Sequence, residues 1–172
     1  MTPDIFIENF ERTEHSDYLH GVIGRSLIIA TRFDSMCVNL SIATGLKNEI
    51  ILRKFTEEDF DAVVNKATSK FRSLNDRIKS FKQPKEISLI LHRARVARNE
   101  VAHSLTIGFE GCIDINVDEV RFISEVSDLI SIIADGDIVI SSLMSVFNNE
   151  PILSSKYLSG YKNKVVNWVV EQ

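Results

Sequence analysis

Between Tyr18 and Leu40 apolar side chains return at three- and four-residue steps, through Leu19, Val22, Ile23, Leu27, Ala30, Phe33 and Cys37, with no proline among them. Steps of that size gather on one side of an α-helix and scatter over both faces of a strand, so the stretch commits the chain to a long first helix. Ser16 and Asp17 supply a capping start, and Gly45 marks the expected end. Ile28, Ile29 and Met36 widen the stripe, as suits a helix with neighbours on more than one side.

The same period returns downstream. A short link from Leu46 to Phe55 leads to Thr56, whose hydroxyl can cap a second helix while Glu57, Glu58 and Asp59 favour its positive end. Phe60, Val63, Ala67, Phe71, Leu74 and Ile78 carry that helix to about Phe81. Pro84 opens a third helix, Lys85 to about Ser104, packed through Ile87, Ile90, Leu91, Ala94, Ala97 or Arg98, and Val101. Thr106 to Ile115, with Gly108 and Gly111, is too short and glycine-rich for a helix and reads as a loop or small hairpin. Asn116 and Asp118–Glu119 begin a fourth helix through Val120, Ile123, Val126, Ile130 and Ile133, which Asp135-Gly136-Asp137 is expected to break or kink. Ile138 to Phe147 forms a fifth segment ended by Asn148 to Pro151. Ser154 to Val170 forms the last helix on Tyr157, Leu158, Tyr161, Val165, Trp168 and Val169. Seven glycines and three prolines in 172 residues are too few for the turns of a sheet protein. The expected fold is an all-α, antiparallel bundle of four to six helices, with residues 1–172 in a single domain.

A hydrophobic share of 44% with 26% charged residues argues for a folded soluble chain and against disorder. The lead-in Thr2 to Glu14 holds acids and no basic start, and Arg25 interrupts the nearby apolar run, so neither signal peptide nor membrane span is expected and the location implied is cytoplasmic. Cys37 and Cys112 sit in apolar surroundings without a partner at metal-ligand spacing and read as reduced core residues. His15 and His20 read as surface histidines, so no metal site is expected.

Charge is segregated along the chain. From Val64 to Arg98 ten basic residues face two acids, a local charge of +8, and the remainder must carry −12 to reach the overall −4. Such separation focuses positive potential on one region, which favours a local phosphate or nucleic-acid site, although a solvated helix face produces the same run.

Within that region Leu89 to Ser104, LILHRARVARNEVAHS, places Arg93, Arg95, Arg98, Asn99, His92 and His103 on a helix that otherwise reads as buried. Charged groups near a core must be paired or solvated, so this density demands a purpose. Glycine-rich phosphate loops, Gly-x-Ser-x-Gly, His-Glu-x-x-His and Cys-x-x-Cys are all absent from the sequence.

Arg98-Asn99 followed by His103 resembles the R-x4–6-H signature of the HEPN superfamily, and the position on the third substantial helix of an all-helical domain is similar too. The likeness extends over residues 16–147. It implies a HEPN-like fold and a metal-independent endoribonuclease without cofactor, of the kind found among toxins and antiviral effectors, acting on RNA as a homodimer, with an antitoxin or regulatory protein as a further partner. On that resemblance Arg98 holds the scissile phosphate. His103 is the general acid or base for attack by the ribose 2′-hydroxyl. Asn99, one turn before His103, orients the histidine or the phosphate. Arg93, Arg95 and Lys85 contact the RNA. Toxin members controlled by nucleotidyl transfer carry a Tyr two residues after the His, where this chain has Leu105, which speaks against that form of control. The alternatives are a catalytically silent HEPN module that binds RNA or a nucleotide, and a helical protein-interaction domain. In the last case Arg98 pairs with an acid of the first or fourth helix and His103 caps its own helix.

At 3.6 residues per turn, side chains five positions apart point roughly 140° away from each other. Arg98 and His103 on one straight helix therefore cannot converge on a phosphate. Either two chains share the site, with Ala94, Ala97 and Ala102 letting their helices approach, or a local irregularity near His103 turns it back.

Overall fold

A computed structural model describes residues 13–50, 60–62, 64–65, 69, 73–107 and 117–171, and every regular element among them is helical. α1 spans Glu14–Ile50, α2 Leu74–Ser80, α3 Lys85–Asn99, α4 Glu119–Asn148 and α5 Ser155–Val170, with a π-helical turn, Glu100–Ser104, continuing α3. The helical bundle expected from the periodicity is what forms.

α1 starts two residues before the expected Ser16. Thr13 and Ser16 exchange bonds, each hydroxyl accepting from the other's backbone N–H at 3.0 Å, so the hydroxyl of Ser16 serves as the second half of a reciprocal cap. The helix passes through Gly45 to Ile50, because one glycine costs only about 1 kcal/mol in a helix whose packed face has already formed. The second helix is not continuous to Phe81: Ser73 is extended and its hydroxyl accepts from the Asp76 N–H, which starts α2 afresh. The cap proposed at Thr56, the loop between Gly108 and Asn116, and Cys112 lie outside the described residues. Pro84 is the N-cap of α3 and Asp118 that of α4, as read from the sequence. Asn149 in the left-handed conformation ends α4, and Ser154 caps α5.

One correction concerns Asp135-Gly136-Asp137, which neither breaks nor kinks the fourth helix. α4 runs unbroken over 30 residues, and the fifth segment is its second half. Gly136 is there for proximity: a Cβ at this position would lie 2.5 Å from the Ala94 Cβ and 2.8 Å from Phe33 Cε2. It marks the point where α4 presses on both α1 and α3. Asp135 reaches Lys162 of α5 at 2.8 Å. Asp137, 1% exposed, accepts from Arg32 Nε at 3.1 Å and from the Tyr161 hydroxyl at 2.9 Å. The two acids that look like a turn are the polar seam joining α4 to α1 and α5.

α4 packs on α1, α3 and α5, and the core between them holds Leu19, Val22, Phe33, Leu91, Val126, Ile130, Ile133 and Ile140. Cys37 is buried there as a free thiol. Burial first, then the charges of Asp34 and Asp137, push that thiol up to about 12, so it is inert as expected. Six residues placed on apolar stripes by periodicity, Leu27, Ile28, Phe60, Val120, Tyr157 and Trp168, are exposed. α1 and α4 are long and apolar enough to cross a membrane by length and composition, a property they share with the core helices of bundles.

Candidate functional site

Ala94 and Ala97 face inward from α3, fully or nearly fully buried. The smallness of Ala94 serves the approach of α4 at Gly136, and buried as they are, neither alanine is free to seat a second copy of the chain. With that face committed, the residues between and beyond them turn to the sides. Arg95 and Arg98 turn toward α1 and α2.

There they line a pocket of about 280 Å³ with Asp34, Ser73, Leu74, Asn75, Arg77 and Asn99. A guanidinium nitrogen of Arg98, Nη2, makes an ion pair with Asp34 Oδ2, and Nη1 donates to Asn99 Oδ1 at 3.2 Å. Arg95 leans on His92, Nη2 to Nδ1 at 3.4 Å. Arg98 Nε, Arg95 Nε and Asp34 Oδ1 are buried and carry no hydrogen bond. Residues lining one small pocket thus carry two donors and one acceptor without partners, where buried polar atoms are normally satisfied; Asp137 Oδ1, away from the pocket, is unpartnered as well.

The arginine half of the structural alternative is therefore observed: Arg98 does pair with an acid of the first helix. That pairing uses only one edge of the guanidinium. Asn99 bonds to Arg98, so what it orients is the arginine and not His103.

His103 lies in the π turn, where the Leu105 N–H reaches back to the Glu100 carbonyl at 2.8 Å across five residues. A turn closed over five residues sweeps less angle per residue than an α-turn. The roughly 140° between Arg98 and His103 on a straight helix is reduced, which is the local irregularity that the spacing left open. His103 is exposed, makes no hydrogen bond to another described residue, and does not line the Arg98 pocket. It caps no carbonyl there.

The three residues nominated for RNA contact do not share a face. Arg95 joins Arg98, whereas Arg93 lines a separate pocket of about 330 Å³ with Ile90, Ile132, Asp135, Ile138 and Val139. Lys85, at the start of α3, is exposed and thirteen residues from Arg98, which is about 20 Å of helix. The pocket instead recruits Arg77, Asn75, Ser73 and Asp34. Arg77 belongs to the basic run and was visible as charge. Asp34 lies 64 residues from Arg98 and gives no local signal. His15 pairs with Glu119 at 3.3 Å, and His20 is exposed.

Comparison with protein-family models, with curated proteins and with solved structures gives no match for this chain.

Proposed function

We propose that the chain is a HEPN-like, metal-independent endoribonuclease in which Arg98 binds the scissile phosphate and His103 transfers the proton. The observation that carries this reading is the pairing of a three-arginine pocket with a π turn that leaves His103 solvent-exposed and uncommitted, since π turns interrupting α-helices concentrate at functional sites. Asp34 and Asn99 hold the arginine in place, and its Nε edge remains for a phosphate oxygen. A phosphate so held has its developing charge neutralised while the adjacent 2′-hydroxyl attacks phosphorus and the P–O5′ bond breaks, His103 taking the hydroxyl's proton or giving one to the departing 5′-oxygen.

The active form is a homodimer. Leu89 and Val96, 58% and 49% exposed and seven residues apart, make a short apolar seam on the outer side of α3, and His103 stands in the turn that continues it. α1 and α4 are core helices in this reading, and the protein acts in the cytoplasm without a membrane.

The test is cleavage of an end-labelled single-stranded RNA in EDTA. Products should end in 2′,3′-cyclic phosphate or its hydrolysis product, DNA should be spared, and His103→Ala should lower the rate by about 10²–10⁴-fold. Mixing inactive Arg98→Ala with inactive His103→Ala protein should restore cleavage if the site is shared. Products with 3′-hydroxyl ends, or unchanged cleavage by His103→Ala, would sink the reading.

A second reading, a module that binds RNA or a nucleotide without cutting it, is favoured by one fact. The Arg98–Asp34 ion pair already satisfies much of the arginine's charge. Salt-sensitive binding without cleavage would select it.

A further inference from the structure

Asp34 is an odd neighbour for a phosphate. In a pocket built only to hold an anion, Asp34 would serve through Oδ2 alone, by holding Arg98, while its charge opposes the anion, because like charges repel at close range. Two facts about this carboxylate are on record in the geometry: Oδ2 is engaged by Arg98, and Oδ1 is buried with no donor. An ionised carboxylate oxygen only accepts, so the ligand must bring a hydroxyl or N–H to it. The two unpartnered Nε groups, on Arg95 and Arg98, only donate, so the same ligand must also bring acceptor oxygens. Asn75, Ser73 and Arg77 add further polar reach on the α2 side. A hydroxyl beside a phosphate meets both demands. That is the ribose-phosphate unit of RNA, with the 2′-hydroxyl on the sugar next to the phosphate oxygens.

We infer that the pocket of Asp34, Arg95 and Arg98 reads the ribose 2′-hydroxyl: it donates to Asp34 Oδ1 while the neighbouring phosphate accepts from the two Nε groups. Asp34 is then the residue by which this chain tells RNA from DNA, and the Asp34–Arg98 pair is the frame that holds a donor and an acceptor edge side by side. The inference rests on the RNA reading of the site but not on cleavage.

The experiment is fluorescence anisotropy with three labelled single strands of one sequence, RNA, DNA and 2′-fluoro RNA, using His103→Ala protein in EDTA so that the probes stay intact. DNA lacks the hydroxyl and 2′-fluoro RNA cannot donate, so both should bind about tenfold or more weaker than RNA, the scale of one hydrogen bond to a charged group. Asp34→Ala should bring the three affinities within about twofold of each other. Its loss of a negative wall should leave DNA binding as strong as before or stronger. A circular-dichroism melt establishes that this variant is folded. If it is not, the 2′-fluoro strand on the Asp34 protein decides alone, because that comparison alters no side chain. Equal binding of RNA and 2′-fluoro RNA overturns the inference and assigns the unpartnered atoms to ordered water. So does a preference for RNA that survives Asp34→Ala. Adenosine 3′-monophosphate, whose 2′-hydroxyl adjoins its phosphate as in a strand, separates the two sources of this chemistry as competitor: with the hydroxyl preference in place, displacement at millimolar concentration assigns the pocket to a free ribonucleotide, and its absence assigns it to a strand. The outcomes also part from those of the cleavage assay. Cleavage without hydroxyl preference removes this inference and keeps the nuclease, and preference without cleavage does the reverse.

Discussion

Arg32 and Asp34 stand two residues apart on α1, and each makes an ion pair with a residue of opposite sign on another helix, yet the two pairs have opposite characters. Arg32 reaches from a half-exposed position to Asp137, which is sealed among α1, α4 and α5 and bonded by Tyr161 as well. Asp34 receives Arg98 at the wall of a pocket, each partner 22% exposed; both carboxylates keep a buried Oδ1 without a partner, but only Asp34 has unpartnered N–H donors, Arg95 Nε and Arg98 Nε, among the residues of its pocket. The first is a clamp whose carboxylate no ligand of any size can reach. The second borders a pocket, keeps two unpartnered N–H donors and has two more guanidiniums beside it. Identical side-chain chemistry thus separates into structure and candidate function according to what surrounds it.

The largest expected contrast comes from cutting each pair at its arginine. Arg98→Ala should lower RNA cleavage by about 10²–10³-fold, the effect of removing one preorganised group from developing charge. Its thermal stability should change little by comparison. Arg32→Ala should do the converse, destabilising the fold by about 2–3 kcal/mol because Asp137 is left buried with Tyr161 alone, and leaving the cleavage rate of the folded fraction within about twofold. Denaturant titration and single-turnover cleavage on both variants check this. If Arg32→Ala impairs cleavage as much as Arg98→Ala, the division between clamp and site is wrong.

A smaller effect is expected at the glycines. Gly136 sits beside the clamp, and Gly136→Ala drives a methyl into Ala94 and the Phe33 ring, so a net loss of about 2 kcal/mol is expected even after the gain in helix propensity. Gly24 and Gly160 have nothing within 4 Å of an added Cβ, and alanine there should stabilise by about 0.5–1 kcal/mol. Chemical denaturation of the three variants reads both signs.

The glycines also show where the sequence was legible. Long periodic stripes and their caps were readable because both are local: Pro84, Asp118, Ser154 and Asn149 act within a few residues of where they stand. Gly136 was misread because a glycine between two aspartates has the look of a turn, and close approach depends on Ala94 and Phe33, far away in the chain. The small residues of α3 did announce a close helix contact, but their spacing is silent on whether the neighbour is α4 or a second copy. Charge density pointed to a helix from which Arg98 and Arg95 do meet in one pocket. Arg93 and Lys85 were grouped with them by proximity in sequence alone, which ignores the turn of the helix. Asp34, Asn75 and Arg77 come to the pocket through tertiary packing, and the π turn at Glu100–Ser104 leaves no compositional trace.

The smallest expected effect concerns protons at the clamp. Burial raises the Asp137 carboxyl above its ordinary value, and the bonds from Tyr161 and Arg32 only partly oppose that rise. A carboxyl whose folded value lies above its unfolded value binds protons more readily in the native state. Its contribution to stability is therefore fully present below the unfolded value and is lost as pH rises through the folded one. This is the reverse of a carboxylate held low by a salt bridge, and it means the clamp's attraction does not recover all the hydration lost on burial. Asp137→Asn removes the titration while keeping an oxygen for Arg32 and Tyr161. Melting temperatures taken from acid to neutral pH should show the variant gaining on the parent as pH increases above the usual carboxylate range, with most of the gain complete once Asp137 is ionised in the native protein. A gap that closes or reverses over that interval means that Arg32 and Tyr161 more than offset the burial, and then the sealed pair is a net source of stability rather than a fixed joint maintained against it.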